Sequence, residues 1–247
     1  LGEDGELDID TLLGVLRAVP AGDVVVLHGC CHNPTGIDPT VEQWERIADA
    51  VVEAEALPLL DFAYQGFANG LDEDAAGLRA LLARGVTMFV ASSFSKNFAL
   101  YDERVGALSL VGASADETAA LLSHAKAAIR SNYSNPPAHG GEIVSTVLTD
   151  PELTERWVGE VRMMRDRING NRAKFVAGLQ AAGAPGNHES LMRQRGMFSL
   201  LPLGEERVAR LRDEFGIYLV GKGRVNVAGL TARNLDPVCR AIAAVTG

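Results

Sequence analysis

Four short clusters in this 247-residue chain hold side chains able to do chemistry. The first to weigh is Lys96, in Ser92-Ser93-Phe94-Ser95-Lys96-Asn97-Phe98, because it is the only charge between Arg84 and Asp102. A lysine in such apolar company either snorkels its amine to water or sheds a proton readily and attacks a carbonyl to form a Schiff base. The hydroxyls of Ser92, Ser93 and Ser95 suit a neighbouring phosphate, and Arg104 adds a planar charged fork for one. Asp61, in Asp61-Phe62-Ala63-Tyr64-Gln65-Gly66-Phe67, either caps a turn or is a working carboxylate. Asn33-Pro34-Thr35-Gly36 reads by itself as a turn. The fourth cluster, Gly221 to Val227, carries Arg224.

The elements that must position these clusters follow from hydrophobic periodicity. Asp23 to His28, Leu57 to Phe62, Val86 to Ala91 and Val105 to Val111 are short apolar runs of the buried-strand type. An amphipathic helix follows the N-terminal connection. A second carries Val41, Trp44, Ile47, Ala48, Val51 and Val52 at helical spacing, and a third covers about 73–84. Strands alternating with helices predict a mainly parallel α/β sheet, and three of the clusters sit at its strand ends, where open α/β sheets place ligands.

From about residue 149 the texture changes. Thr149, Asp150, Pro151 and Glu152 start a helix, with Pro at its first position. Leu153, Trp157, Val161, Met164, Ile168, Phe175 and Leu179 keep one face apolar until Gly183 and Pro185 close it. Beyond lie short strands near 197–201, 217–219 and 225–227, with helices at about 205–215 and 235–244. The expected division is a large α/β domain over 1–150, a connecting helix over 151–182 and a small α+β domain over 183–247.

Composition removes other classes. With 47% hydrophobic and 22% charged residues the chain is globular, not disordered. Twenty-three Lys plus Arg against 32 Asp plus Glu leave a charge of −9, unsuited to binding duplex nucleic acid. No run approaches the roughly 20 apolar residues of a membrane span. Cys30, Cys31 and Cys239 fit neither a zinc site nor a redox pair, so a cytoplasmic compartment is expected. His28 and His32 run from a strand into a turn, and no metal pair is expected there. His124, His139 and His188 suggest no triad. Trp44 and Trp157 read as core.

Taken together, HNPTG, DFAYQGF, SSFSKNFALYDERVG, NYSNPPAHG and GRVNVAGL resemble the fold-type I pyridoxal-phosphate enzymes. More narrowly, they resemble the class I aspartate and aromatic-amino-acid aminotransferases, from about Gly22 to the end of the chain. The resemblance implies part of a seven-stranded-type large domain plus the smaller C-terminal domain. It implies pyridoxal 5′-phosphate as cofactor, bound to Lys96, with Asp61 keeping the pyridine nitrogen protonated. Asn33 and Tyr64 would bind the phenolic oxygen, and Ser93, Ser95 and Arg104 the phosphate. Arg224 would grip the substrate α-carboxylate, with Phe198 near the substrate. Arg130 and Ser134, in a loop reaching the partner subunit of a homodimer, would meet a substrate side-chain carboxylate and the partner's cofactor phosphate.

The implied reaction moves an amino group between aspartate, or an aromatic amino acid, and a 2-oxo acid such as 2-oxoglutarate. A β-elimination, decarboxylation or cyclisation on the same scaffold is the alternative, and a ligand-binding module without catalysis is a third reading. Family members carry more chain before the segment that begins here, including further cofactor contacts, so the sequence reads as an N-terminally truncated fragment. Incomplete folding of such a fragment is the remaining alternative.

Overall fold

The computed structural model describes residues 1–2 and 5–247. The chain forms two compact units: Asp8–Cys30 with Pro39–Val161, and Leu1–Leu7 with Cys31–Asp38 and Arg162–Gly247.

The first unit runs through α1 (Ile9–Arg17), β1 (Val24–His28), α2 (Val41–Glu53), β2 (Leu57–Phe62), α3 (Ala76–Ala83), β3 (Met88–Ser93), β4 (Gly106–Val111), α4 (Ala115–Asn132) and α5 (Ala138–Thr149). Its strands form one sheet in the order β1-β2-β3-β4. β1, β2 and β3 are parallel, as the alternation of strands and helices predicts, whereas β4 returns antiparallel along β3. No helix lies between β3 and β4, and a parallel pair needs such a crossover. One face of β2 buries Pro58, Leu60 and Phe62, and β3 buries Met88 and Val90.

Local chemistry starts the helices where the sequence indicates. The Thr40 hydroxyl accepts from the Gln43 N–H at 3.2 Å while the Gln43 side chain accepts from the Thr40 N–H at 2.9 Å, a reciprocal cap on α2. Trp44, Ile47, Ala48 and Val51 form the buried stripe of α2. Trp44 lies against Gly77 of α3, where a Cβ would come within 2.6 Å of the indole. Val24 and Val26 of β1 and Leu108 of β4, on the two outer strands of the sheet, are exposed.

Helices α4 and α5 occupy a stretch to which periodicity assigned nothing. The reason is physical, because α4 buries no residue and so shows no apolar stripe. Arg130, read as part of a loop, lies in the last turn of α4.

The helix α6 (Pro151–Ala181) leaves the first unit at Val161 and enters the second at Arg162. Asp150 starts it by accepting from the N–H groups of Glu152 and Leu153 at 2.9 and 3.1 Å. The second unit continues through β5 (Phe198–Leu200), α7 (Gly204–Phe215), β6 (Arg224–Asn226) and α8 (Leu235–Thr246). β5 and β6 pair antiparallel, with Ser199 opposite Val225 and Leu200 opposite Arg224. Phe175, Leu179, Leu211, Val227 and Ile242 form its core.

Residues 217–219 do not form the expected strand; the pairing there is a single bridge between Val220 and Arg224. Left-handed glycines at 216 and 221 turn the chain on either side, leaving no room for a ladder. Gly223 is required next, since φ is +128° and a Cβ would meet the Leu201 carbonyl oxygen at 2.1 Å.

The loop after β2 is built around one buried carboxylate. Asp74 accepts from the N–H groups of Gly66, Ala68, Asn69 and Gly70, at 2.8 to 3.2 Å. Replacing Asp74 by Ala should therefore lower the unfolding free energy by about 3 kcal/mol or more, since several part-buried donors lose their acceptor. Denaturant titration checks this, and an unchanged midpoint would remove the role.

Candidate functional site

The side chains singled out by the sequence fall in both units. In the first, β2 ends at Asp61-Phe62, with Asp61 opposite His28 of β1 and Ala91 of β3. The Asp61 carbonyl accepts from the Gly29 N–H at 2.8 Å, which fixes the strand end. Its carboxylate is half-buried and makes no hydrogen bond or ion pair among the described residues.

The chain next turns at Tyr64, whose ring is buried. Lys96 Nζ lies 4.8 Å from the centroid of that ring. This is a cation–π approach, and among the described residues no carboxylate pairs with the amine. A half-buried amine held on an aromatic face is neither the free surface cation of a snorkelling lysine nor a salt-bridged one.

The segment carrying Lys96 is held from several sides. Ser95 N–H donates to the Ser93 hydroxyl at 3.3 Å, and the Arg104 guanidinium donates to the Ser95 hydroxyl at 3.5 Å and the Tyr101 carbonyl at 3.0 Å. Ala99 and Arg104 both take positive φ, at +56° and +52°. Non-glycine residues held in that region store strain, which tends to gather at working sites. Two hydroxyls and a guanidinium thus converge on one turn, a donor set matched to a phosphate.

Trp157 of α6 braces this turn. Its indole N–H donates to the Asn97 carbonyl at 2.9 Å, and its ring stacks on Phe98 with centroids 4.6 Å apart. The sequence placed Trp157 in the core; the structure makes it a strut for the residues beside Lys96. Asn97 Oδ1 is buried without a partner among the described residues.

Near the end of α4, the Arg130 guanidinium donates to the Ser134 hydroxyl, and both residues are exposed. Ser134 has φ of +75°. These two are far in character from the Lys96 segment: neither is buried by its own unit.

The second unit holds Asn33, Arg224 and Phe198. Arg224 donates to the Asn33 side-chain oxygen at 2.9 Å, and its guanidinium carbon sits 4.7 Å from the Phe198 ring centroid. No carboxylate pairs with Arg224 among the described residues. A planar fork lying over an aromatic ring, with donors still to spare, suits a carboxylate ligand.

The turn carrying Asn33 is set by Asp38, which accepts from the N–H groups of Cys31 and His32 at 2.6 and 2.8 Å. His32 Nδ1 lies 2.8 Å from the Thr35 hydroxyl, and the Asn33-Pro34 peptide is cis. Asn171 of α6 holds the turn after β6, donating to the Leu230 carbonyl at 2.8 Å and the Val227 carbonyl at 3.3 Å.

Sequence reasoning missed Asp38, Asp74 and Arg172. Asp38 accepts from donors six and seven residues before it, outside the i to i+2 pattern of a local Asx turn, so sequence offered no signal for it. None existed either for Asp74, whose loop partners lie four to eight residues before it, or for Arg172, whose partners Gly196 and Ser199 are brought to it only by the fold.

Comparison with known proteins identifies the family to which this α/β chain belongs. A family model described as aminotransferase class I and II matches residues 2–242. The chain belongs to this family. It is 54% identical to the aspartate aminotransferase of Escherichia coli (strain K12) over 243 residues, which are 98% of this chain and 61% of that protein. It is 47% identical to the aromatic-amino-acid aminotransferase of Pseudomonas aeruginosa over 242 residues, again 98% and 61% of the two chains.

A solved structure of the aromatic-amino-acid aminotransferase from Burkholderia pseudomallei, covalently bound to pyridoxal phosphate, superposes with a TM-score of 0.96 at 49% identity. That match covers 99% of this chain and 61% of the other. The chain therefore spans about 61% of the length of these relatives. Among the described residues, no helix is long and apolar enough to cross a membrane.

One ion pair beside the Lys96 segment responds to pH. His139 Nδ1 lies 2.8 Å from a Glu103 carboxylate oxygen, and that hydrogen bond, followed by the carboxylate's charge, raises the imidazole pKa above its ordinary 6.5. A raised folded-state value means the contribution is fully present below pH 6.5 and disappears as pH rises through the folded value. Proton NMR should show His139 titrating above 6.5 in the native protein and returning to it in Glu103→Gln. Equal titration in the two proteins would remove the pair.

Proposed function

We propose that this chain forms part of a pyridoxal-phosphate-dependent aminotransferase that moves an amino group between aspartate, or an aromatic amino acid, and a 2-oxo acid. The observation that carries the reading is Lys96: a half-buried amine over the Tyr64 ring with no acid partner among the described residues. The family match supports it, and the relatives' names favour transamination over β-elimination or decarboxylation.

The donor set fits pyridoxal 5′-phosphate. Lys96 supplies the amine for its aldehyde, Asp61 an unpartnered carboxylate for the ring nitrogen, and Ser93, Ser95 and Arg104 the contacts for its phosphate. Asn33 and Tyr64 are assigned to the phenolic oxygen. When bound, the cofactor supplies an electron sink for carbanion chemistry. Asp61 keeps the ring nitrogen charged, because an adjacent carboxylate favours the protonated form. Arg224 binds and orients the substrate α-carboxylate, with Phe198 bounding its guanidinium. The Lys96 amine would take the proton from the substrate α-carbon as general base and return that same proton, as general acid, to the C4′ carbon of the bound cofactor.

Arg130 is assigned to the side-chain carboxylate of a dicarboxylic substrate and Ser134 to a cofactor phosphate, both in the partner subunit of a homodimer. Their exposure supports this, as do Tyr101, Leu108, Leu122, Tyr133 and Leu148, large side chains left exposed in the same stretch. We assign residues 1–150 to the cofactor-binding domain, 151–182 to the connecting helix and 183–247 to the small domain, and place the protein in the cytoplasm. No metal and no nucleic acid enters this reading.

The test is an absorbance titration of the purified protein with pyridoxal phosphate, repeated on Lys96→Ala. A Lys96-dependent band that aspartate bleaches is expected, and a folded wild-type protein with no such band overturns the proposal. For specificity, Arg130→Ala should lower kcat/KM for aspartate at least about 30-fold more than for phenylalanine, because one charge of the dicarboxylate loses its partner. Equal losses on both substrates would reassign Arg130.

A further inference from the structure

Arg172 of α6 is 1% exposed, the most deeply buried cation among the described residues, and it has no carboxylate partner there. Desolvation, with Arg195 nearby, pushes its pKa down to about 10, so it stays charged at neutral pH. An unpaired buried charge is expensive. The neighbouring buried positions on α6, Phe175, Val176 and Leu179, are apolar, so the core itself does not call for a guanidinium.

What the cation does is visible in its donors. It donates to the Gly196 carbonyl, to the Ser199 hydroxyl at 3.3 Å and to the Asn169 side-chain oxygen at 2.8 Å. Gly196 and Ser199 bracket Met197 and Phe198, and Phe198 is the ring against which Arg224 lies at 4.7 Å. Ser199 also sits opposite Val225 in the β5–β6 pair, one residue from Arg224. No slack is left at Gly196, where φ is +78° and a Cβ would meet the Cys31 Cβ at 2.4 Å.

We infer that Arg172 is a positioning residue for substrate recognition, clamping both ends of the Gly196–Ser199 segment so that Phe198 holds the Arg224 fork in the plane that receives a carboxylate. This rests on the reading of Arg224 as the carboxylate-binding residue. The rigid aromatic wall keeps a bidentate fork pre-oriented, so that binding a carboxylate costs less ordering. Loosening the clamp weakens carboxylate binding while leaving the reacting amine of Lys96 alone.

The experiment uses the holoenzyme with Arg172→Met, Arg172→Lys and Ser199→Ala. Two readouts are taken: steady-state kinetics with aspartate and 2-oxoglutarate, and calorimetric binding of succinate, a dicarboxylate that cannot react. Arg172→Met should raise KM and the succinate Kd together by roughly tenfold, the scale of one charged hydrogen bond, with kcat changed far less. Arg172→Lys should recover part of that loss, and Ser199→Ala should lose roughly twofold to threefold, as expected for one long neutral-acceptor contact.

Variants that melt at lower temperature but keep wild-type KM and succinate Kd would reduce Arg172 to a core residue and overturn the inference. If Arg172→Met does not fold, wild-type KM and Kd in both milder variants overturn it equally. A wild-type holoenzyme that binds no succinate overturns the Arg224 reading as well, which separates the two failures.

Discussion

Parallel strands all end on the same side, and in this chain His28, Asp61 and Ala91 fall in one row across β1, β2 and β3. Every loop that leaves those strand ends therefore starts from the same edge of the sheet. Asp61 needs no loop of its own, because it belongs to the last rungs of β2. Lys96 lies only three residues past the end of β3, so the strand's register carries directly into its position. The buried faces of β2 and β3 keep that register, since a one-residue slip would turn Leu60, Phe62, Met88 and Val90 outward.

Polar groups buried just behind the reactive ones do the remaining positioning. Asp74 gathers the backbone N–H groups after Tyr64, Trp157 holds the Asn97 carbonyl, and Asp38 holds the turn of Asn33. Each spends a buried or half-buried polar group on a backbone atom. This is the form of restraint that tolerates irregular loops, because a loop's N–H and C=O groups lack ladder partners. Left-handed Ala99 and Arg104 show that the Lys96 turn is held away from its locally preferred conformation.

The same structure leaves Lys96, Asp61 and Arg224 without opposite charges among the described residues. For stability alone such groups would be paired or replaced, and leaving them open is the usual cost of a site that must accept a charged ligand. Val24, Val26 and Leu108 on the outer strands stand exposed, and α4 buries nothing.

Much of this was readable before any coordinates. The alternation of strands and helices, the start of α6 at Asp150-Pro151 and the apolar stripe of α2 are local signals, set by period and capping, and the structure carries them. The clusters around Asn33, Asp61, Lys96 and Arg224 were legible because their residue types are chemically unusual where they stand. What could not be read depends on contacts across long stretches of chain. The direction of β4 rests on a connection without a helix, α4 has no buried stripe to betray it, and residues 217–219 look like a strand until the glycines around them turn the backbone. Trp157 reads as core from its own helix and becomes a strut only when Asn97 arrives beside it. Arg172 looks like any charged residue in a long helix. Only the tertiary structure buries it and aims its donors at Gly196 and Ser199, because burial is a property of what surrounds a residue and no local pattern encodes it.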